Sequence, residues 1–213
     1  FLGLELTGNL NPVFYLWDPT LSTLGGWQTF SGTGSYLPTT PNTLYPNSSN
    51  TRIQSGQAFI VSSSSGCTVN FSENAKVSDN RLVNRAPVSI NQLSMLSSSL
   101  STIMNNETKK VDGNRIVFDN SYSYNIDEND ASKIINPGEN LAINKHDTLI
   151  AVEARAHLNV NDTIFYNISN LSQPNYQLIL VPQNIVSRGL SGLLLDKYLN
   201  TKTPISLTDS NVI

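Results

Sequence analysis

Charge and cysteine are the two things this sequence has least of. Only 14 % of its 213 residues are Asp, Glu, Lys or Arg, against about 25 % in ordinary soluble domains. There is one cysteine, Cys67, which excludes an intrachain disulfide and a multi-cysteine zinc site. We interpret Cys67 as a small buried hydrophobe, with a reactive nucleophile beside a histidine as the alternative.

Basic runs and long apolar runs are also missing. The formal net charge is −3, so the chain has no positive footprint for nucleic acid or anionic lipid. No apolar stretch approaches the ~20 residues that a membrane helix needs, and no signal peptide opens the chain. We therefore predict neither nucleic-acid binding nor insertion into a membrane. Because the sequence starts at Phe1 without Met, we interpret it as an internal part of a longer protein.

Short apolar runs separated by Asn, Asp, Ser and Pro are what the sequence has in abundance. The clearest set lies in 147–181, where such clusters separate the runs 149–154, 163–168 and 176–181. In the middle run, one side of the predicted strand carries Ile164, Tyr166 and Ile168. Side chains alternate between faces at period 2 along a strand, so the pattern predicts three strands joined by turns.

The rest of the chain repeats this rhythm and predicts an all-β fold. We expect a hairpin of 13–17 (VFYLW) with 27–30 (WQTF), followed by a long surface loop at 31–51. Roughly seven to nine later strands fit an antiparallel β-sandwich of Greek-key or jelly-roll type. The predicted division is an N-terminal β-rich module at residues 1–84 and a β-sandwich domain at residues 85–213.

Three shorter segments have less clear patterns. Residues 95–105 fit a strand and, by the spacing of their Leu, Ile and Met residues, also a helix. The segment 130–135 (DASKII) would form one helical turn capped by Asn129 or Asp130. We expect a further strand at 122–125.

The densest acidic cluster is 127–130 (DEND). Calcium takes about six to eight oxygen ligands, so Asp127 and Asp130 are candidate metal ligands, with Asp119 and Glu139 within reach of a loop. The spacing lacks the invariant glycine and the closing Glu of an EF-hand loop. A solvated turn explains the same residues, so calcium and a plain turn stay open as alternatives.

Catalytic signatures are scarce. His146 and His157 both lie near the ends of predicted strands, and the sequence has no Gly-x-Ser-x-Gly elbow. A phosphate loop and a dinucleotide fingerprint are also missing. We predict that the chain is not an enzyme and needs no cofactor other than possible calcium.

Aromatic residues suggest carbohydrate binding as an alternative function, because sugars stack on exposed aromatic faces. The candidate ligand-binding residues are Trp17, Trp27, Tyr36 and Tyr45. The competing interpretation is that Tyr15 or Trp17 packs into the small core of the N-terminal module and that Trp27 covers a hairpin. Tyr36 and Tyr45 lie in the polar loop and are expected to be exposed.

A family resemblance extends in order over nearly the whole chain. It is carried by 14–19 (FYLWDP), 25–30 (GGWQTF), 53–61 (IQSGQAFIV), 69–77 (VNFSENAKV), 127–143 (DENDASKIINPGENLAI), 175–180 (NYQLIL) and 193–207 (LLLDKYLNTKTPISL). Together these stretches resemble the region just upstream of the sorting domain in large Bacteroidetes proteins exported by type IX secretion. The Gly-Asn-Pro-Tyr-like opening of such proteins appears only as 8–12 (GNLNP), and no stretch matches the sorting domain itself.

This resemblance implies a secreted or cell-surface location, with export through a C-terminal domain outside this sequence. It also implies a non-catalytic role, as an adhesin-like element or a spacer that meets an extracellular glycan or protein surface. The alternatives are a carbohydrate-binding module of a secreted polysaccharide-degrading protein and a calcium-stabilised adhesin domain.

Overall fold

The structure, a computed structural model, describes residues 2–3, 5–7, 10–48, 52–53, 56–63, 68–70, 93–104, 107–186 and 189–213. Cys67 and the predicted boundary at residue 84 lie outside the described residues. The protein is all-β, as predicted, and the described ranges contain no helix that is long and apolar enough to cross a membrane. The strands are β1 Leu2–Gly3, β2 Glu5–Thr7, β3 Leu10–Asp18, β4 Gly26–Ser31, β5 Arg52–Ile53, β6 Phe59–Ser63, β7 Thr68–Asn70, β8 Ser94–Met104, β9 Glu107–Phe118, β10 Ala131–Ser132, β11 Asn140–Lys145, β12 Thr148–Arg155, β13 Phe165–Ser169, β14 Tyr176–Gln183, β15 Gly192–Asp196, β16 Thr201–Ile205 and β17 Asn211–Val212.

One large sheet forms most of the molecule, in the order β13-β11-β12-β9-β8-β14-β17, with β10 beside β12. Its pairs are antiparallel except β9 with β12. The sheet is curled. This is shown by the hydroxyl of Tyr166 on β13, which lies 2.8 Å from the hydroxyl of Ser98 on β8, four strands away. The curl encloses a core that includes Ile116, Phe118, Ile143 and Ile150. This arrangement agrees with the predicted β-sandwich.

The second layer is a three-stranded sheet in the order β4-β3-β6. Its central strand is buried on both faces because a different layer covers each side. Val13 and Tyr15 pack on Ala131 and Val152 of the large sheet. The opposite face carries Phe14 and its neighbours, packed on residues of the following loop. The predicted hairpin is confirmed, with Trp17 directly opposite Trp27.

The segment after this hairpin is not the surface loop that its polar composition predicted. Leu37 and Tyr45 are 1 % and 2 % exposed, and Thr40 is fully buried. The side-chain amide of Gln28 takes the place of a strand partner, donating to the carbonyl of Thr40 and accepting from its N–H. Because its backbone groups find partners inside the protein, the segment forms part of the core.

Arg115 on β9 holds this segment against the large sheet. Its guanidinium donates to the carbonyls of Leu37 and Pro38, both at 3.0 Å. Burial lowers the pKa of Arg115 to about 10. Gly113 provides the space, since a Cβ there would lie 2.6 Å from the carbonyl oxygen of Thr39.

The ambiguous segments also have clear outcomes. Residues 94–104 form a strand because they pair with β9 along their whole length. The expected helical turn at 130–135 is wrong, since Ala131–Ser132 pairs with β12 instead. The expected strand at 122–125 is wrong as well, because the Asp119 carboxylate accepts from the N–H and hydroxyl of Ser121 and closes a turn there.

Candidate functional site

The predicted calcium ligands lie in a turn whose carboxylates are already hydrogen-bonded. Asp127 Oδ1 accepts from the backbone and side-chain amides of Asn129, at 2.8 and 3.0 Å. Asp130 accepts from the N–H groups of Asp127 and Ala154, both at 3.0 Å. Across the part of the chain that the structure describes, no three His, Cys, Asp or Glu side chains form a group that would hold a metal. Calcium binding at this turn stays a prediction.

The predicted aromatic ligand patch is divided between the surface and the core. Trp17 and Trp27 contact each other edge to face, with ring centroids 5.2 Å apart, and both are partly buried. Gly25, at φ +82°, closes the turn beneath them, and a Cβ there would overlap the ring of Trp17. The pair therefore covers the end of the hairpin, as the competing interpretation proposed for Trp27.

The two loop tyrosines do not behave as their surroundings in sequence suggested. Tyr45 packs edge to face on Phe30, so its expected exposure is wrong. Burial raises the pKa of Tyr45. Tyr36 is partly buried and stacks on Phe14 at 5.9 Å. Most residues of this loop are polar, yet its two tyrosine rings complete the core of the small sheet.

A different place combines exposed aromatic rings with converging charges. It is a shallow depression of about 100 Å³, which we call the Tyr124–Phe165 depression. It is lined by Tyr124, Ile143, Asn144, Lys145, His146, Glu153, Arg155, Thr163, Ile164 and Phe165. Three elements form it: the ends of the β11–β12 hairpin, the start of β13 and the turn-rich segment 119–130. Its location on turns that a rigid sheet positions is typical of binding sites.

The hairpin turn at one side of the depression has a fixed geometry. His146 and Asp147 join β11 to β12 with φ of 50° and 62°. A two-residue turn with positive φ at both central residues has a backbone twist that matches the twist of the two strands it joins. His146 meets the edge of the Tyr124 ring, with centroids 5.8 Å apart.

The floor of the depression is a buried charge network. Lys145 Nζ lies 3.3 Å from Glu153 and 3.6 Å from Asp130. Arg155 lies 3.8 Å from Glu153 and 3.5 Å from Asp162. Burial raises the pKa of Glu153 and of Asp130, and the nearby cations only partly offset this effect. The two cations therefore lie near three carboxylates, of which Glu153 is shared by both.

Two aromatic rings at the mouth stay accessible. Tyr124 is 57 % exposed, although its ring lies over Arg155 at 5.4 Å and over Lys145 at 5.9 Å. Phe165 is 51 % exposed and is approached by Lys197 at 5.4 Å. Cation–π contacts of this kind hold a ring in place while leaving ring surface open to solvent.

Two buried polar atoms of the lining residues lack a hydrogen-bond partner among the described residues. They are Arg155 Nε, a donor, and Asn144 Oδ1, an acceptor. Arg155 as a whole is 3 % exposed. Unpaired buried polar atoms are rare in folded proteins, and each calls for a physical explanation.

One sequence feature that is absent from the predictions above does indicate this site. In a chain with 14 % charge, the run 149–155 (LIAVEAR) places Glu153 and Arg155 inside an apolar strand. Charged residues are almost never fully buried unless they are paired. Tyr124 has no comparable signal, since its contacts come from strands distant in sequence.

The predicted histidines do not form a catalytic arrangement with each other. His146 lies at the depression, whereas His157 lies beyond β12 beside the turn at Asp119. Hydrogen bonds from Ser121, and to a smaller extent the charge of His157, lower the pKa of Asp119.

Comparisons with known proteins place no constraint on these assignments. No family model matches the chain, and neither does any curated protein or solved structure. The function therefore has to be inferred from the geometry of the chain itself.

Proposed function

We propose that this chain is a non-catalytic β-sandwich region of an exported bacterial protein, acting outside the cell as an adhesin-like element or a spacer. One observation carries the proposal: the buried carboxylates of the described residues are occupied by internal partners. Asp112 binds Lys133 at 2.7 Å and the N–H of Leu141 at 2.6 Å. General acid–base catalysis needs a carboxyl within reach of a substrate proton, and a glycosidase needs two of them.

Interlocking of the two layers supports a mechanical role. The hydroxyl of Ser22 donates to Glu139 at 2.6 Å, and that same carboxylate accepts from Ser172 and Tyr176. Tyr15 donates to the carbonyl of Ser132 at 2.9 Å. Such ties join the hairpin layer to the large sheet at several points, as a region that transmits force requires. The low charge and the family resemblance support an extracellular location.

The location is tested with antibodies raised against this chain. We expect intact cells of the source organism to be labelled as strongly as permeabilised cells. Labelling that appears only after permeabilisation would overturn the extracellular assignment.

The non-catalytic part is tested by incubating the purified chain with panels of polysaccharides, glycosides, peptides and esters. We expect no product above that of a heat-denatured sample. Turnover that is lost when Glu153 is replaced by Gln would contradict the proposal.

Adhesin and spacer are separated by deletion of this region from the parent protein. An adhesin is identified if cells with the deletion no longer attach to a surface and beads that carry the purified chain do attach to it. A spacer instead gives beads that do not attach, together with reduced access of antibody to the parts of the parent protein that it separates from the cell.

A further inference from the structure

We propose that the Tyr124–Phe165 depression binds one neutral sugar unit of an extracellular glycan. The inference rests on the proposed non-catalytic, extracellular role and names the ligand class of a site that the predicted aromatic patch does not include. It stands on three observations: accessible aromatic rings, a polar floor without spare charge, and unpartnered polar atoms in the lining.

The aromatic rings supply the stacking surface. One face of a pyranose ring presents C–H groups, which are apolar and pack on an aromatic face. Tyr124 and Phe165 are each about half exposed and come from two different elements that line the depression. Trp17, Trp27, Tyr36 and Tyr45 are all more buried than these two.

The charges exclude an anion and favour a neutral polar ligand. Each cation of the floor, Lys145 and Arg155, already lies near two carboxylates. An acidic sugar or a phosphate would bring further negative charge beside the three carboxylates of this network, Asp130, Glu153 and Asp162. A neutral sugar adds hydroxyl groups without adding charge.

The unpartnered atoms match the chemistry of a hydroxyl group. Arg155 Nε can only donate a hydrogen bond and Asn144 Oδ1 can only accept one. A hydroxyl does both. The two atoms are buried, so the side chains have to move before a sugar hydroxyl pairs with either of them. The depression has a volume of about 100 Å³, several times the ~10–15 Å³ of this measure that one water needs. The proposed ligand places the edge of one sugar ring there.

The test is affinity electrophoresis of the folded chain in gels that contain a neutral β-glucan, a mannan, a xylan or polygalacturonate. Titration calorimetry with the corresponding free neutral monosaccharides accompanies it and separates recognition of a sugar unit from recognition of a polymer. We expect retardation by at least one neutral polysaccharide and none by polygalacturonate. Absence of retardation in every neutral gel, or stronger retardation by polygalacturonate, overturns the proposal.

The variants Tyr124→Ala and Phe165→Ala locate the site. Both rings are exposed, so the fold is retained, and we expect each change to weaken binding at least tenfold. Tyr198→Ala is the matched control, because Tyr198 is 95 % exposed and is not among the residues that line the depression. Equal binding by Tyr124→Ala and wild type overturns the proposal. Loss of binding in Trp27→Ala with full retention in Tyr124→Ala and Phe165→Ala assigns the sugar to the predicted patch instead.

Asn144→Ala tests the polar half of the argument. It removes the unpartnered acceptor, and we expect weaker binding with an unchanged melting temperature. Failure of all glycan binding while intact cells are still labelled overturns this inference alone. Labelling restricted to permeabilised cells overturns the proposed function, whatever the gels show.

Discussion

Two strands of similar apolar character end in opposite surroundings. In β3, residues Val13, Phe14, Tyr15 and Leu16 are at most 5 % exposed. In β15, Leu193 and Leu195 are 57 % and 47 % exposed. The first strand lies at the centre of a three-stranded sheet with a layer on each side, whereas the second pairs with β16 alone. An apolar run thus predicts a strand, and the number of neighbouring layers decides whether it is buried.

The polar segments beside these two strands are also held in place differently. The segment 37–42 beside the small sheet is fixed by buried side chains, above all by Arg115 and Gln28. The β15–β16 hairpin has its own ladder, a short polar turn in which Asp196 accepts from the N–H groups of Tyr198 and Leu199, and one cation–π contact from Lys197 to Phe165. An isolated two-stranded hairpin is marginally stable in water. The two regions should therefore differ sharply in their response to substitution.

The largest effect is expected for Phe30→Ala in the small sheet. Phe30 is fully buried and stacks on Phe14 at 4.9 Å, and removing such a ring costs about 3–5 kcal/mol. Leu195→Ala in the hairpin is the matched control and should change the free energy of unfolding by no more than about 0.5 kcal/mol. Urea denaturation measures both, and equal costs would contradict the comparison.

Arg115→Met should follow, at about 3 kcal/mol, because two buried carbonyls lose a charged donor. Both tryptophans of the chain, Trp17 and Trp27, lie in the hairpin layer, so their fluorescence reports on that layer. We expect fluorescence and far-ultraviolet circular dichroism to show one coincident transition in the wild type. In Arg115→Met the fluorescence transition should come first. Lys202→Met on the exposed hairpin should change neither signal.

Glu139→Gln should cost about 1–2 kcal/mol at pH 7 and should flatten the acid limb of stability. Burial opposes ionisation of this carboxyl, but hydrogen bonds from Ser22, Ser172 and Tyr176 outweigh it and lower the pKa. The stabilisation is therefore present above the ordinary pKa of 4.5 and is lost as the pH falls through the lowered value.

Glu153→Gln is the control with the opposite sign. Because burial raises the pKa of Glu153, its contribution is present below the ordinary pKa and is lost as the pH rises through the raised value. In Glu153→Gln, the free energy of unfolding should therefore fall less steeply than in the wild type as the pH rises above the ordinary pKa of a glutamate. Melting temperatures of the wild type and both variants are measured from pH 3 to pH 8. If the two substitutions change the slope of melting temperature against pH in the same direction relative to the wild type, these assignments are rejected.

The smallest effect is expected for Leu193→Ser, because its side chain already contacts water. The free energy of global unfolding should change by less than about 0.5 kcal/mol. Amide hydrogen exchange sharpens this point: the amides of β15 and β16 should exchange by local opening, and those of β3 and β4 only with global unfolding. Protection of the hairpin at the global level would show that it is held by more than its own ladder.

Strands with clear alternation were predictable because the cause is local. The runs at 149–154, 163–168 and 176–181 all contain a strand near the expected place, since their side-chain period reflects backbone geometry. The exposure of Tyr45 was predicted wrongly because its burial depends on Phe30 and on the backbone path of a segment that looks polar. The strand expected at 122–125 failed because a carboxylate–serine turn outweighed its aromatic content.

The candidate site was the least predictable part. Tyr124, Glu153 and Phe165 come from three segments: a loop and two strands that flank β11 in the large sheet. The contacts of Tyr124 with Lys145, His146 and Arg155 join residues far apart in sequence and leave no periodic signature. The rings of the predicted aromatic patch are instead close to one another in sequence. Tyr36 and Tyr45 complete the core, and Trp17 and Trp27 cover the hairpin.

By itself the sequence determined the all-β class, the hairpin of Trp17 and Trp27 and most of the strand positions, because turn residues and period 2 act over a few neighbouring positions. Only the tertiary structure decided which apolar runs are covered, where Arg115 and Glu153 find partners and which rings stay open to solvent. The physical reason is that burial and ion pairing depend on how layers pack, and packing joins residues that the sequence keeps far apart.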